Sequence, residues 1–462
     1  MAIVLDSKKA CAVNPLKMSQ PLGACYAFLG LSSTMPLMHG SQGCTSFGLV
    51  LLVRHFKEAI PMQTTAMNEV STILGGMDNI EQAVLNIKKR ANPALIAIAS
   101  TGLTETKGDD VDGYLRLIRA KHAETLAGSE IVYVSTPDFV GAFQDGWAAA
   151  VKALIAAFVT PADTRVAGRI GVLPGAHLSP ADLEEVRELI ETFGLHPVLV
   201  PDLSRSLDGH IPEDFTPTTL GGASLGDIRG LAACEHVIAI GEQMRGAVER
   251  LEAVGVPCTL FDRLTGLTAT DALVALLMRL SGEPAPARLK RQRGQLVDAM
   301  LDGHFHLGGK RVAIGAEPDL LFALASLIHE MGGEVAAAVT TTHSPVLTRV
   351  PTPEVLVGDL EDLELRAIGC DLLLTHAHGR QAAARLNIPL FRAGIPQFDR
   401  IGAAHQLSVG YRGTRDLIFQ LANTFIAHLH AHGPDDWPLP AEARAAAQGG
   451  AATENVIPII PV

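Results

Sequence analysis

Short apolar runs alternate with amphipathic stretches along most of the chain. Arg169–Leu173 is such a run, and it stops at Pro174-Gly175, the pattern of a buried strand and a turn. Ser179-Pro180-Ala181-Asp182 then predicts a helix start, with a serine cap, a proline at the first helical position and an acid three residues after the cap. Leu183, Val186, Ile190 and Phe193 recur at helical spacing, and Gly194 supplies the stop. His196–Val200, Val237–Ile240 and Cys258–Phe261 read as further strands. The pattern restarts after residue 300, with strands at Arg311–Gly315, Val335–Val339, Asp371–Leu374 and Pro389–Phe391 and a helix over Pro318–Met331. In the first third, strands are expected at Ala94–Ala99 and Ile131–Ser135, and a helix over Trp147–Phe158.

This alternation implies right-handed crossovers and parallel sheets covered on both faces. The expected fold class is therefore α/β, with three Rossmann-like domains, each a parallel sheet flanked by helices, and clefts between them. Boundaries near Pro161-Ala162-Asp163 and Gly282–Pro286 give segments 1–165, 166–285 and 286–432. The third segment opens with a connecting helix that begins in the basic stretch Arg288–Arg293. Residues 433–462 are rich in Pro, Ala and Gly and are expected to form a flexible tail.

Composition narrows the classes of function. Hydrophobic residues make up 48% of the 462 positions, which rules out a wholly disordered chain. Basic residues number 37 against 49 acidic ones, a net charge of −12 with no basic block, which argues against nucleic acid as a partner. No apolar run reaches the ~18 residues of a membrane-spanning helix, and Met1–Lys17 lacks the apolar core of a signal peptide. Six cysteines without a C-x-x-C pair make neither a disulfide scaffold nor a zinc ribbon nor a ferredoxin loop. The expectation is a soluble cytoplasmic protein with reduced thiols and no membrane partner. GxGxxG, GxxxxGK[ST] and HExxH motifs are all missing, which weighs against nucleotide-dependent and zincin chemistry.

Few residues remain as carriers of chemistry. His376-x-His378 follows a predicted strand, and residues two apart in extended chain point the same way. Two ligands do not make a site, and ordinary loop histidines are the better reading. His304-x-His306 reads the same way. Cys234, Cys258 and Cys370 lie in or beside predicted strands and are expected to pack as small hydrophobes. Cys44 differs. Gly40 and Gly43 flank Ser41 and Gln42, which places Cys44 on an irregular loop ahead of a helix running from Thr45 through Arg54. A thiol at a helix N-terminus feels the positive end of the dipole, which favours the thiolate that binds iron or attacks an electrophile. A packed cysteine in a tight turn satisfies the same residues, and local spacing does not choose between the two.

His39-Gly-Ser-Gln-Gly-Cys44 with Arg54-His55-Phe56 and Glu58 resembles the first-domain signature of the nitrogenase β-subunit family. Further matches follow in order: Ser71-Thr72 with Gly75-Gly76; Ser100-Thr101 with Glu105 and Gly108-Asp109-Asp110; and Thr136-Pro137 with Phe139, Gly141 and Gly146-Trp147. Asp399-Arg400, Gly402 and Gly410-Tyr411-x-Gly413 resemble the family's closing motif. The likeness covers nearly the whole chain and is strongest before residue 150.

The departures from that family are informative. The catalytic β-subunit carries cysteines at three positions that bind the eight-iron P-cluster, and the corresponding positions here are Ser19, Cys44 and Gly102. One thiolate remains. With Ala-Val-Asn-Pro-Leu-Lys before Ser19 and Gln-Thr-Thr-Ala-Met after Pro61, the chain looks like the branch that forms the β-like half of the iron–molybdenum cofactor assembly scaffold.

That resemblance implies an α-like partner (NifE-like) in a heterotetramer of two copies each. It implies a [4Fe-4S] cluster at the subunit interface, three ligands coming from the partner and one, Cys44, from this chain. It further implies a transient iron–molybdenum cofactor precursor as cargo, the nitrogenase reductase (Fe protein) as a docking partner and apo-nitrogenase as the recipient. No independent catalytic turnover is expected of such a subunit. The alternatives are a catalytic reductase subunit of the same superfamily, either a nitrogenase β-subunit or a dark-operative protochlorophyllide reductase subunit, and a non-metal α/β enzyme or binding protein supported by fold alone. No role beyond packing is assigned to Cys11 or Cys25.

Overall fold

The apolar runs become strands of three parallel sheets in the computed structural model, which describes residues 1–210 and 213–431. The chain opens with β1 (Ile3–Asp6) and continues into β2 (Thr34–His39), β3 (Gln63–Thr64), β4 (Leu95–Ser100) and β5 (Glu130–Val134). The last four form the first sheet in the order β3-β2-β4-β5. Helices α1 (Gln20–Leu29), α2 (Gln42–Phe56), α3 (Glu69–Leu74), α4 (Met77–Ala91), α5 (Gly102–Lys107), α6 (Val111–Lys121) and α7 (Phe143–Phe158) belong to this part of the chain. Every residue of β2 and β4 is buried, as expected for central parallel strands covered on both faces.

The second sheet has the order β7-β6-β8-β9, from β6 (Val166–Leu173), β7 (His196–Leu199), β8 (Cys234–Ile240) and β9 (Cys258–Phe261). Its helices are α8 (Pro180–Glu191), α9 (Leu225–Arg229), α10 (Arg245–Ala253) and α11 (Leu267–Ser281). The predicted start of α8 is present in full. Ser179 Oγ accepts from the Asp182 amide and Asp182 Oδ2 accepts from the Ser179 amide, each at 3.0 Å. After the connecting helix α12 (Ala287–Leu307) come β10 (Arg311–Ala316), α13 (Pro318–Glu330), β11 (Glu334–Thr340), β12 (Glu354–Val357), α14 (Leu360–Arg366), β13 (Leu372–Thr375), α15 (Arg380–Leu386), β14 (Leu390–Arg392) and α16 (Gly410–Ala431). No helix among the described residues is long and apolar enough to cross a membrane. The tail read at 433–462 lies outside the described residues.

Two features depart from the expected organisation. The third sheet has six strands in the order β1-β12-β11-β10-β13-β14, so the first strand of the chain belongs to the last sheet. Ile3 through Asp6 run parallel to Glu354 through Val357. Residues 7–19 then form a strap from the third sheet back to the first. Lys9 Nζ ties it to Asp359, Glu361 and Asp362 at 2.7–3.0 Å, and the Leu360 amide donates to the Asn14 carbonyl at 3.0 Å. The second departure is β2, which sequence reading passes over because Pro36 interrupts it. The sheet accepts this proline because β3 pairs only with Leu37 and Met38, leaving Pro36 with a strand neighbour, β4, on one side.

The units meet through tight contacts. A Cβ built on Gly23 of α1 would lie 1.8 Å from the Phe143 carbonyl oxygen, and one on Gly146 of α7 would lie 1.9 Å from the Gln20 carbonyl oxygen. The two backbones can touch only where these positions are glycine. Trp147, fully buried, donates from Nε1 to the Pro174 carbonyl at 2.8 Å and so links the first unit to the second. Removing such a side chain costs ~3–5 kcal/mol.

Candidate metal centre

The His39–Gly40 turn that leads to Cys44 is framed by three threonines. β2 ends at His39, whose ring is buried and whose Nδ1 lies 3.0 Å from Thr65 Oγ1. Burial holds its pKa down at about 4, so the ring is neutral. Thr101 and Thr104 donate to the His39 carbonyl at 2.9 and 3.3 Å, and the Gly40 amide donates to Thr65 Oγ1 at 3.0 Å. A Cβ on Gly40 would come within 2.3 Å of Thr101 Oγ1, so the turn must be glycine here.

Ser41 is extended and α2 begins at Gln42, three residues earlier than the sequence predicts. Cys44 is therefore not on a loop ahead of the helix but in its first turn, where free amides and the dipole favour negative charge. Gly43 does not break this turn, because its φ lies outside the positive range. Thr45, Gly48, Leu52, His55 and Phe56 form the buried face of α2, and His55 Nδ1 accepts from the Gln397 amide at 3.0 Å. Cys44 is exposed, with its Sγ 3.4 Å from Ser41 Oγ.

Cys44 opens onto a cavity of about 400 Å³. Its walls come from strap residues 14–19, from Met38 and Phe47, from Thr101 with Asp138, and from His376 with His378. Ser19 and Cys44 thus share one cavity. Gly102 lies behind this wall, next in the chain to Thr101, and donates its amide to Asp138 Oδ2 at 3.2 Å. Sequence reading missed Asp138, although it occupies the unassigned position of the Thr136-Pro137-x-Phe139 match. Next to the cavity the protein surface is apolar: Phe47 is 69% and Phe139 65% exposed, and Val50 and Val140 are exposed with them.

The donor set fits one ligand of a cluster and not a whole site. Four-iron clusters are held by four thiolates, and Cys44 is the one thiol lining this cavity. Among the described residues, no group of three or more His, Cys, Asp or Glu is placed to hold a metal ion. His376 lines the cavity with both nitrogens committed: Nε2 donates to the Leu16 carbonyl at 3.2 Å and Nδ1 accepts from the His378 amide at 3.3 Å. Its ring stands at 88° to that of His378. His304 and His306 lie on α12, where a two-residue offset puts side chains on different faces. His304 Nδ1 is 3.2 Å from the Met331 carbonyl.

Cys25, Cys234 and Cys370 are buried and Cys258 is half-buried; desolvation pushes all four thiols up, Cys25 and Cys258 to about 12. All six cysteines are free.

A second cavity, about 110 Å³, lies where the three units meet, at the carboxyl ends of β6, β10 and β14. Its wall includes His177, held down at about 4 by burial, and Glu317, pushed up to about 8 by the same cause although the Gln144 amide donates to it. Burial also pushes the neighbouring Asp319 up to about 6.

Comparison with known proteins fits this geometry. The family described as nitrogenase component 1 type oxidoreductase matches residues 19–426. A chain from Bradyrhizobium diazoefficiens, named nitrogenase iron–molybdenum cofactor biosynthesis protein NifN, is 57% identical over 446 residues, 95% of each chain. A chain of the same name from Mesorhizobium japonicum is 54% identical over 94% of this chain and 95% of its own. Among solved structures, nitrogenase Cp1 at pH 6.5 superposes with a TM-score of 0.88 at 31% identity, covering 94% of this chain and 98% of that one.

Proposed function

The chain belongs to the nitrogenase component 1 type oxidoreductase family, among the proteins named NifN, and from that premise we propose that it is the β-like subunit of the scaffold on which the iron–molybdenum cofactor precursor matures. A role in biosynthesis of the nitrogenase iron–molybdenum cofactor follows from its relatives. The finer reading rests on one observation: Cys44 is the one thiol on a cavity that it shares with Ser19, a second family ligand position, while Gly102, the third, adjoins the wall residues Thr101 and Asp138. In this reading Cys44 supplies one ligand of a [4Fe-4S] cluster, and an α-type partner supplies the rest. Such a cluster is a one-electron relay. The framing by Thr65, Thr101 and Thr104 holds the turn that leads to Cys44 in place, and the exposed apolar faces of α2 and of residues 139–140 are what the partner would cover.

The precursor is cargo, held transiently and chiefly by the partner before transfer to apo-nitrogenase. The nitrogenase reductase docks to deliver electrons and metal, and the whole complex, two copies of each subunit, works in the cytoplasm. A deletion strain tests this reading. Loss of the chain should leave nitrogenase assembled but lacking its iron–molybdenum cofactor, and isolated cofactor added to the extract should restore activity. Extracts that stay inactive after cofactor addition would contradict the reading.

A further inference from the structure

We propose that Asp138 limits how much iron the Cys44 cavity accepts, by holding the space beside Gly102 and closing that side to another protein thiolate. This inference rests on the reading of Cys44 as a cluster ligand. A Cβ built on Gly102 would lie 3.1 Å from Asp138 Cβ, tighter than ordinary contact, and 3.4 Å from its Oδ2. A side chain at position 102 therefore crowds the Asp138 Cβ and lies in van der Waals contact with its carboxylate, which fills the space beyond. That carboxylate is not free to leave. Gly102 is the first residue of α5, and its amide, which has no partner within the helix, donates to Asp138 Oδ2 at 3.2 Å. Lys17 Nζ fixes the same residue from the strap side, donating to the Asp138 carbonyl at 3.3 Å.

Charge acts in the same direction as volume. Asp138 Oδ1 is buried and has no hydrogen-bond partner, so a thiolate brought to position 102 would meet a second acidic group in a poorly solvated wall, its charge offset in part by the Gly102 amide and Lys17. Asp138 and the preceding Thr101 both line the cavity that Cys44 enters. Absence of a cysteine at 102 is thus only half of the restriction. Restoring thiols at the two substituted positions does not enlarge the cluster while Asp138 remains.

The test uses the complex of this chain with its α-type partner, purified anaerobically and freed of cargo. Iron per heterodimer and the EPR spectrum of the reduced complex are compared among the wild type, Asp138→Ala, Ser19→Cys/Gly102→Cys and Ser19→Cys/Gly102→Cys/Asp138→Ala. Gel filtration checks that each complex assembles. The expected result is about four irons with an unchanged spectrum in the first three, and a rise toward about eight irons with a new spectrum in the last. A rise already in the double variant, or none in the triple, would overturn the role of Asp138. Loss of iron in Asp138→Ala would overturn it too, by making the carboxylate a ligand. Cys44→Ala in the same series separates the two levels: iron that survives it refutes the ligand reading itself, whatever Asp138 does.

Discussion

The Ser41 hydroxyl lies 3.4 Å from the Cys44 sulfur and makes no bond to the helix it caps. A serine in this position ordinarily accepts from an amide in the first turn. Here it is directed to the thiol instead. Donors to a ligating sulfur stabilise the more negative, reduced cluster. Ser41→Ala should therefore lower the cluster's midpoint potential by on the order of tens of millivolts, and Ser41→Thr should restore it. Unfolding free energy should change by no more than ~0.5 kcal/mol, because no backbone bond is lost. Redox titration followed by EPR, with a urea melt alongside, reads both effects.

Two glycines of the first unit should respond in opposite ways to alanine. At Gly23 the new Cβ would sit 1.8 Å from the Phe143 carbonyl oxygen, forcing α1 and α7 apart. Gly23→Ala should cost about 3 kcal/mol or more in urea unfolding. At Gly43 the nearest heavy atom is 3.8 Å away and the backbone is helical. Gly43→Ala should be neutral or stabilise by ~0.5–1 kcal/mol.

Glu317 makes stability fall with rising pH. Its ordinary pKa of 4.5 is pushed up to about 8 in the folded chain by burial. Below pH 4.5 both folded and unfolded states hold the proton, and burial of this group carries no charge penalty. Between 4.5 and about 8 the unfolded state releases the proton while the folded state keeps it, so stability declines through that window. Glu317→Gln should remove this decline and exceed the wild type by on the order of 2 kcal/mol near pH 8, with little difference near pH 4. Urea unfolding at the two pH values measures it.

His376 should prove structural. Its Nε2 holds the strap through the Leu16 carbonyl, and its Nδ1 caps the turn at His378. His376→Ala should leave the iron content of the complex unchanged. It should cost ~1–2 kcal/mol and speed tryptic cleavage at Lys17. A drop in iron without a change in proteolysis would assign the ring to the metal.

Elements whose signals are local were legible in the sequence. The β9 strand (Cys258–Phe261) and the cap of α8 fall where apolar runs and Ser179-Pro180-x-Asp182 put them. What escaped depends on distant partners. β1 is a four-residue edge piece that gains meaning only by pairing with β12 across some 350 residues of chain. Glycine misled the reading of α2, because Gly43 suggested a loop where the backbone is helical. The cavity itself was invisible, since the strap, α2, Thr101 and His376 meet only in three dimensions. Asp138 could have been found only by asking what fills the space that Gly102 leaves.

The most direct measurement is the iron and sulfide content of the chain co-expressed anaerobically with its α-type partner, with Cys44 intact or replaced by alanine. Low-temperature EPR of the dithionite-reduced complex identifies the cluster. After removal of cargo, the expected content is about four irons per heterodimer, present only with the partner and lost in Cys44→Ala. Iron retained in Cys44→Ala, or about eight irons that survive removal of cargo, would contradict it.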